Sequence, residues 1–404
     1  MPPERFGDVV RLEGNELVSF HGTPSDRLAL FACEASCAPI PWQLDERDAA
    51  GRLVLDQGPE PTADDPPGVL DANDVVLFMA SDAGVRADRF SIGIPGATAS
   101  VEIEVRDPRT ARRRWVYLLR FERSAPRSSR SYVAYDPTAD RITGARVALG
   151  FAHGTPRFLG LVGGQSSSSS SNNLLDRMKI RATARFLWGL ISVTRTEDDV
   201  QTQPVAWRQG PIRVIRRQRL WIRLGWGLRT PIFGSDTYFY RDFAELPVAL
   251  HLNFPPHLLF TDVTIRAALD FRNLNGWELQ TAATPSRIRI DGRMTADKLT
   301  LAHQSGDWFA LHGPDLTLVQ VLALSPSLST VRRQLFYRES RDLADPPEAD
   351  LGEMPGIGYS LTQWDAVSSG DHWFASNSYA LPRDLDVAAL IGALQQPLQV
   401  TVRP

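Results

Sequence analysis

The stretch DRMKIRATARF, residues 176–186, alternates without a break. Met178, Ile180, Ala182, Ala184 and Phe186 fall on one side of an extended chain, and Lys179, Arg181, Thr183 and Arg185 on the other. A period of two over that length describes a strand with one buried and one wet face. A helix would spread the same cations around its circumference. ASVEIEV (99–105) alternates in the same way, and RRRWVYLLRFER (112–123) is rich in strand formers. Turn signals separate such runs: DAAGR (48–52), DPPG (65–68), DPTADRITG (136–144), FPPH (254–257), DGR (291–293) and LPRD (381–384). Helical spacing is clear in DLDVAALIGALQQP (384–397), where Val387, Leu390, Ile391 and Leu394 recur at i, i+3, i+4 and i+7. Asp384 or Asp386 is placed to cap that helix and Pro397 to stop it. The expectation is an all-β chain, a large antiparallel β-sandwich with one short helix near its C-terminus.

GGQSSSSSSNN (163–173) buries nothing and reads as a linker or a flexible loop. It separates a front β region, 1–160, from a back β region, 174–404. Strand patterning resumes directly after it without a change of composition, which favours one interlocked architecture. With 404 residues, 43% of them hydrophobic and 23% charged, the chain has the material for a sizeable core.

The formal net charge of −3 gives no overall attraction to nucleic acid or to an anionic membrane, and no nucleic-acid motif is present. No apolar run reaches membrane-spanning length, and the opening MPPERFGDVVRLEG lacks the pattern of a secretory signal. Neither nucleic acid nor membrane insertion is therefore expected. Cys33 and Cys37 are the two cysteines; their spacing leaves a local disulfide and two free thiols equally open.

Charge is unevenly distributed. Residues 34–84 are acidic at their turns, whereas 174–229 hold twelve Arg or Lys. The two blocks suit either each other or two separate ligands. GPIRVIRRQRLWIRLGWGLRTP, residues 210–231, contains six arginines and no acidic residue. Read as a strand, it puts Arg213, Arg217, Arg219, Trp221 and Arg223 on one face. If that strand neighbours 176–186, Arg181 and Arg185 extend the same surface. Guanidinium forks pair with carboxylates, sulfates and phosphates, and an indole offers a stacking platform. The same pattern also describes a solvated sheet face, with arginine stems covering apolar neighbours. Arg181, Arg185, Arg213, Arg217, Arg219 and Trp221 are the candidate ligand-binding residues.

Asp45, Asp71 and Asp74 are hard oxygen donors near turns and stand as weak metal candidates, but neither QLDERD (43–48) nor LDANDVVLF (70–78) keeps a calcium-loop pattern. Turn capping by Asp is the simpler reading, and no metal is expected. There is no H-E-x-x-H, G-x-S-x-G or glycine-rich phosphate loop, and no cofactor is expected. For a site assembled from distant residues, the first acid/base candidates are His153, His251, Tyr238 and Tyr240, with Arg213 to hold a carboxylate.

Three stretches resemble a known group in their order: PIPWQLDERDAAGRLVL (39–55), GVLDANDVVLFMASDAG (68–84) and QGPIRVIRR (209–217). Through Pro41, Gln43, Asp45, Asn73, Asp74, Gly210, Pro211 and Arg213, the sequence resembles uncharacterised bacterial proteins related to the galactose-mutarotase-like supersandwich. The resemblance implies two large antiparallel sheets packed face to face with a cleft over one of them. It also implies an extracytoplasmic location and relatives that act on sugars as epimerases or as lyases of acidic polysaccharides. The catalytic positions of those enzymes have no residue-by-residue counterpart in this sequence.

Two functions are carried forward. The first is a non-catalytic binding or assembly protein that holds an acidic glycan or an acidic protein surface on its arginine-rich face. The alternative is a carbohydrate-active enzyme of lyase or epimerase type.

Overall fold

The computed structural model describes residues 5, 7–87, 93–162, 173–186, 189–225, 227–230, 232–301, 304–340 and 355–403. The Gly/Ser-rich run at 163–172 lies outside them, so the linker reading of that run does too. The chain is all-β, and its sheets are antiparallel. By contacts it divides into two units. One comprises residues 1–134, 206–215 and 385–404, the other 135–205 and 216–384. That division falls elsewhere than the front and back regions drawn at 160 and 174.

The first unit is a small sandwich. The strands Val9–Glu13, Val75–Met79 and Trp42–Asp45 form a three-stranded sheet. Gln399–Arg403, Ala97–Arg106, Arg113–Phe121, Leu28–Cys33 and Cys37–Pro39 form a five-stranded one. Alternate residues fill the space between them: Val10, Leu12, Trp42, Leu44, Val76 and Phe78 meet Leu28, Leu30, Val101, Ile103, Val116 and Leu118. The alternation read at 99–105 is thus a true two-layer signal. Cys33 stands directly opposite Cys37 in a hairpin, and the two form a disulfide. The helix near the C-terminus is Val387–Gln395. Asp386 caps it by accepting from the Ala388 amide at 3.0 Å.

The second unit holds a five-stranded sheet, in the order Ile191–Thr196, Leu175–Phe186, Phe260–Phe271, Gly356–Thr362 and Arg332–Arg338. It also holds a ten-stranded sheet, whose central order is Arg213–Gly225, Phe233–Tyr240, Phe243–Leu252, Gly370–Pro382, Leu316–Leu324 and Trp308–His312. Phe309, Leu311, Leu322 and Phe374 of the ten-stranded sheet share a core with Leu335, Tyr337, Ile357, Tyr359 and Leu361 of the five-stranded sheet.

Two expectations about the basic strands change here. The 175–186 strand belongs to the five-stranded sheet and 213–225 to the ten-stranded one, so their arginines do not share one face. Nor is the cationic side of 176–186 uniformly wet. Lys179 is buried and its Nζ lies 3.2 Å from Asp270 Oδ2 on the neighbouring strand, so an internal carboxylate replaces the water that periodicity alone implies.

Candidate functional site

The acidic and basic blocks find each other within the first unit. Gln43 Oε1 accepts from the amides of Ile212 and Arg213 at 3.1 and 2.9 Å, while its Nε2 donates to Asp45 Oδ1 at 2.6 Å. Asp45 Oδ2 accepts from Arg213 Nε and Nη2, each at 2.6 Å. Arg208 donates to Glu46 Oε2 at 3.1 Å and to the Leu44 carbonyl at 3.0 Å. Gly210 packs so closely here that a Cβ on it would lie 2.0 Å from Gln43 Oε1. The motif residues Gln43, Asp45, Gly210 and Arg213 therefore form a buried clamp that fastens 206–215 to the edge of the small sandwich. Arg213 is buried by it and is not a surface ligand for an acidic partner, a correction of the sequence reading. Nor is it open to a substrate carboxylate.

The weak metal candidates are engaged in the same way. Asp74 accepts from the Arg47 amide at 3.0 Å and the Asp71 amide at 2.9 Å, and Asp71 Oδ1 accepts from the Asn73 amide at 2.9 Å. Among the described residues no three His, Cys, Asp or Glu side chains gather as metal ligands. Burial is the main cause that raises the Asp74 carboxyl to about 6. A folded-state value above the unfolded one of about 4 means that the folded protein binds the proton more tightly. This group's contribution to stability is thus fully present below pH ~4 and lost as pH rises through ~6. The wild type is expected to lose thermal stability across that window relative to Asp74→Asn. Parallel melting midpoints for the two proteins from pH 4 to 7 would contradict the assignment.

The other candidates lie in the second unit, where one face of the ten-stranded sheet brings several together. Tyr238 stands opposite Glu245, Glu245 opposite Asn377, Asn377 opposite Val321, and Val321 opposite Trp308. Directly opposed residues project to the same side, so these five half-buried side chains form one row across five strands. Two residues along runs a second row, Phe243, Tyr379, Val319 and Ala310, in which Tyr240 stacks on Phe243 at 4.2 Å and Phe243 on Tyr379 at 5.4 Å. Tyr240 Oη donates to Glu245 Oε2 at 3.1 Å, linking the rows. Asn377 Oδ1 is buried and accepts no hydrogen bond from any described residue. On the other side of Tyr238, Asp236 receives a two-pronged pair from Arg217, Nε to Oδ1 at 2.7 Å and Nη2 to Oδ2 at 2.8 Å. That pair puts Arg217 on this face, and the strand period adds Arg219 and Trp221. Arg219 is exposed; Trp221 is half-buried, with the Arg229 guanidinium 5.9 Å from its ring centroid.

Of the candidates named from sequence, Arg217, Arg219, Trp221, Tyr238 and Tyr240 thus meet on one sheet face. Arg181 and Arg185 lie on the other sheet, where exposed Arg185 sits 3.6 Å from Asp262. His153 is an exposed turn residue with φ of 50°, and its carbonyl accepts from Thr202 Oγ1 at 2.5 Å. His251 follows Glu245 by six residues on the same strand, about 20 Å away, and holds Asp371 Oδ1 at 2.6 Å. Neither histidine reaches the Tyr238–Glu245 pair. The sequence reading passed over Glu245 and Asn377. The signal was present in FAELPVALHL and WFASNSYALP, where one carboxylate and one amide interrupt runs of aromatic and aliphatic strand formers.

No protein-family model matches the chain, and no curated protein does. Solved structures do. An α-mannosidase from Enterococcus faecalis V583 aligns over 98% of this chain and 44% of its own, at 9% identity and a TM-score of 0.51. A protein in glycosyl hydrolase family 38 from Enterococcus faecalis aligns over 98% and 45%, at 7% identity and 0.49. Mutarotase-like YeaD from Salmonella typhimurium aligns over 62% and 97%, at 10% identity and 0.31. The likeness to the mannosidase is one of fold, and the chain spans less than half of that protein.

Proposed function

We propose that the chain binds a carbohydrate on the face carrying Tyr238, Glu245, Asn377 and Trp308, without transforming it. The observation that carries this reading is the row itself: two aromatic side chains flank a carboxylate and an amide across one sheet. Ring faces cover the C–H surface of a sugar, and Glu and Asn side chains take its hydroxyls in directed hydrogen bonds. The buried, unpartnered Asn377 Oδ1 is the acceptor such a hydroxyl suits. The fold likeness to a protein described as an α-mannosidase supports a carbohydrate ligand. An acidic glycan is the form we favour, because Arg219 and Arg217 border the row. Both guanidinium groups contribute to that preference, Arg217 while paired with Asp236.

A second reading rests on one specific contact. Glu245 accepts a phenol proton from Tyr240 and faces Tyr238, a pairing that serves an acid and a base on one sugar. A glycan array followed by titration of the strongest hit tests both. Asn377→Ala and Trp308→Ala should each weaken binding about tenfold, near 1.4 kcal/mol. Arg219→Ala should flatten the salt dependence for an acidic glycan and leave a neutral one unchanged. Binding that survives Asn377→Ala combined with Trp308→Ala rejects the site. Turnover of the bound sugar, seen as a new ultraviolet-absorbing end or as epimerisation and lost in Glu245→Gln, replaces the binding reading with the enzymatic one.

A further inference from the structure

The second unit ends, on one side, in three apolar tips. The strands Leu175–Phe186 and Ile191–Thr196 turn there, as do Arg213–Gly225 and Phe233–Tyr240, and Phe243–Leu252 crosses there to Phe260–Phe271 in the other sheet. Leu190 at the first tip is 82% exposed, Leu228 at the second 63% and Leu258 at the third 63%. Ile191, Ile232, Phe233, Phe254 and Leu259 surround them and are also exposed. The Phe186 and Phe260 rings lie 5.9 Å apart behind the first and third tips. Apolar side chains at the ends of hairpins do not fill the core of this unit, and scattered surface leucines are not gathered in this way.

Charge defines what covers them. Residues 185–191, 223–233 and 250–260 contain Arg185, Arg223, Arg229, His251 and His257 and no Asp or Glu, in a chain whose formal net charge is −3. Carboxylates stand at the margin: Asp262 beside Arg185 and Asp371 beside His251, while Arg223 donates to the backbone carbonyl of Asp198. Leucine and phenylalanine at protruding tips, arginine behind them and no acid within the three tip segments are the chemistry of the bilayer interface, where apolar groups enter the acyl boundary and cations meet anionic headgroups.

We propose that this end of the second unit docks on an anionic lipid surface, with Leu190, Leu228 and Leu258 entering the interface and Arg223 and Arg229 meeting headgroups. This is contact from one side and not a crossing; among the described residues no helix is long and apolar enough to span a bilayer. The net charge of −3 gives no overall attraction to an anionic membrane, so the attraction proposed is local to these tips. It is also independent of the glycan face.

Flotation of the full chain with phosphatidylcholine vesicles, with and without phosphatidylserine, tests it. The wild type should float with the anionic vesicles and less with phosphatidylcholine alone. Leu190→Ser, Leu228→Ser and Leu258→Ser together should weaken partition about a hundredfold. Arg223→Ala with Arg229→Ala should abolish the preference for phosphatidylserine. An unchanged melting midpoint shows that each variant is folded, since all five side chains are at the surface. No flotation with either vesicle overturns the proposal, as does flotation indifferent to the leucine replacements. Self-association in solution that the same replacements abolish, without lipid binding, assigns the tips to a second copy of the chain instead and likewise overturns it.

Discussion

Arg213→Ala is expected to lower the stability of the first unit by about 3–5 kcal/mol, the range for removing one partner of a buried ion pair. The reason is what the substitution leaves behind. Asp45 is fully buried, and without the guanidinium its only side-chain donor in this clamp is Gln43 Nε2. Gln43 in turn sits where it does because the amides of Ile212 and Arg213 hold its oxygen. Losing the charge therefore loosens the attachment of 206–215 to the edge of the small sandwich as well. Replacing both partners, Asp45→Leu with Arg213→Met, should cost less than Arg213→Ala alone, because no unpaired charge then remains. Gly210→Ala should damage the same junction by another route, driving a methyl into Gln43. Urea unfolding of the three proteins gives the comparison. A loss below about 1 kcal/mol for Arg213→Ala would mean that water reaches Asp45, and the clamp would be no more than a surface pair.

Strand existence was legible because alternation is a property of single segments. ASVEIEV reads as a strand and is one, with Val101, Ile103 and Val105 in the core of the first unit. The helix was legible for the same reason, and of the two aspartates offered as its cap, Asp384 and Asp386, the second is the one that caps it. What a strand faces depends on its neighbours, and that information is not local. Lys179 reads as wet until Asp270 arrives from about ninety residues away. Arg213 reads as part of a cationic surface until Asp45 is placed against it. The opposite charges of the 34–84 and 174–229 blocks hinted at such pairs, but composition does not say which members meet. The candidate face was half legible. Tyr238 and Tyr240 stood out as aromatic polar residues, whereas Glu245 and Asn377 looked like ordinary solvated positions until strand pairing set them side by side. The Cys33–Cys37 bond was undecided by spacing alone; the hairpin register decides it by setting the two residues directly opposite each other.

Lys298→Ala should destabilise the second unit by a similar amount, about 3–5 kcal/mol, and resist the rescue expected for the first pair. Lys298 is buried in the short helix Ala296–Leu301, a helix that the sequence reading did not anticipate. Its Nζ donates to Glu339 Oε1 at 2.7 Å, Asp291 Oδ1 at 2.6 Å and the Arg293 carbonyl at 3.0 Å. Glu339 Oε1 also accepts from the amides of Asp291 and Arg293, both at 2.9 Å, and Oε2 accepts from Tyr337 Oη. Burial, reinforced by this hydrogen bond to Glu339, raises the Tyr337 phenol, so it stays a donor. The carboxylate of Glu339 is therefore needed by two backbone amides and a phenol besides the lysine. Replacing Lys298 and Glu339 together by Met and Leu strands those three donors, and the double variant should be no more stable than Lys298→Ala. Acid titration gives a second readout. Hydrogen bonding to Lys298, the largest cause, helps hold the Asp291 carboxyl at about 2. A depressed folded value means stability that is present above the unfolded value near 4 and lost as pH falls toward 2. Without Lys298 that protection shrinks. The wild type should therefore lose more of its melting midpoint than the variant between pH 4 and 2, so that the gap present at pH 7 narrows. Equal acid sensitivity would show that Lys298 acts only by filling space.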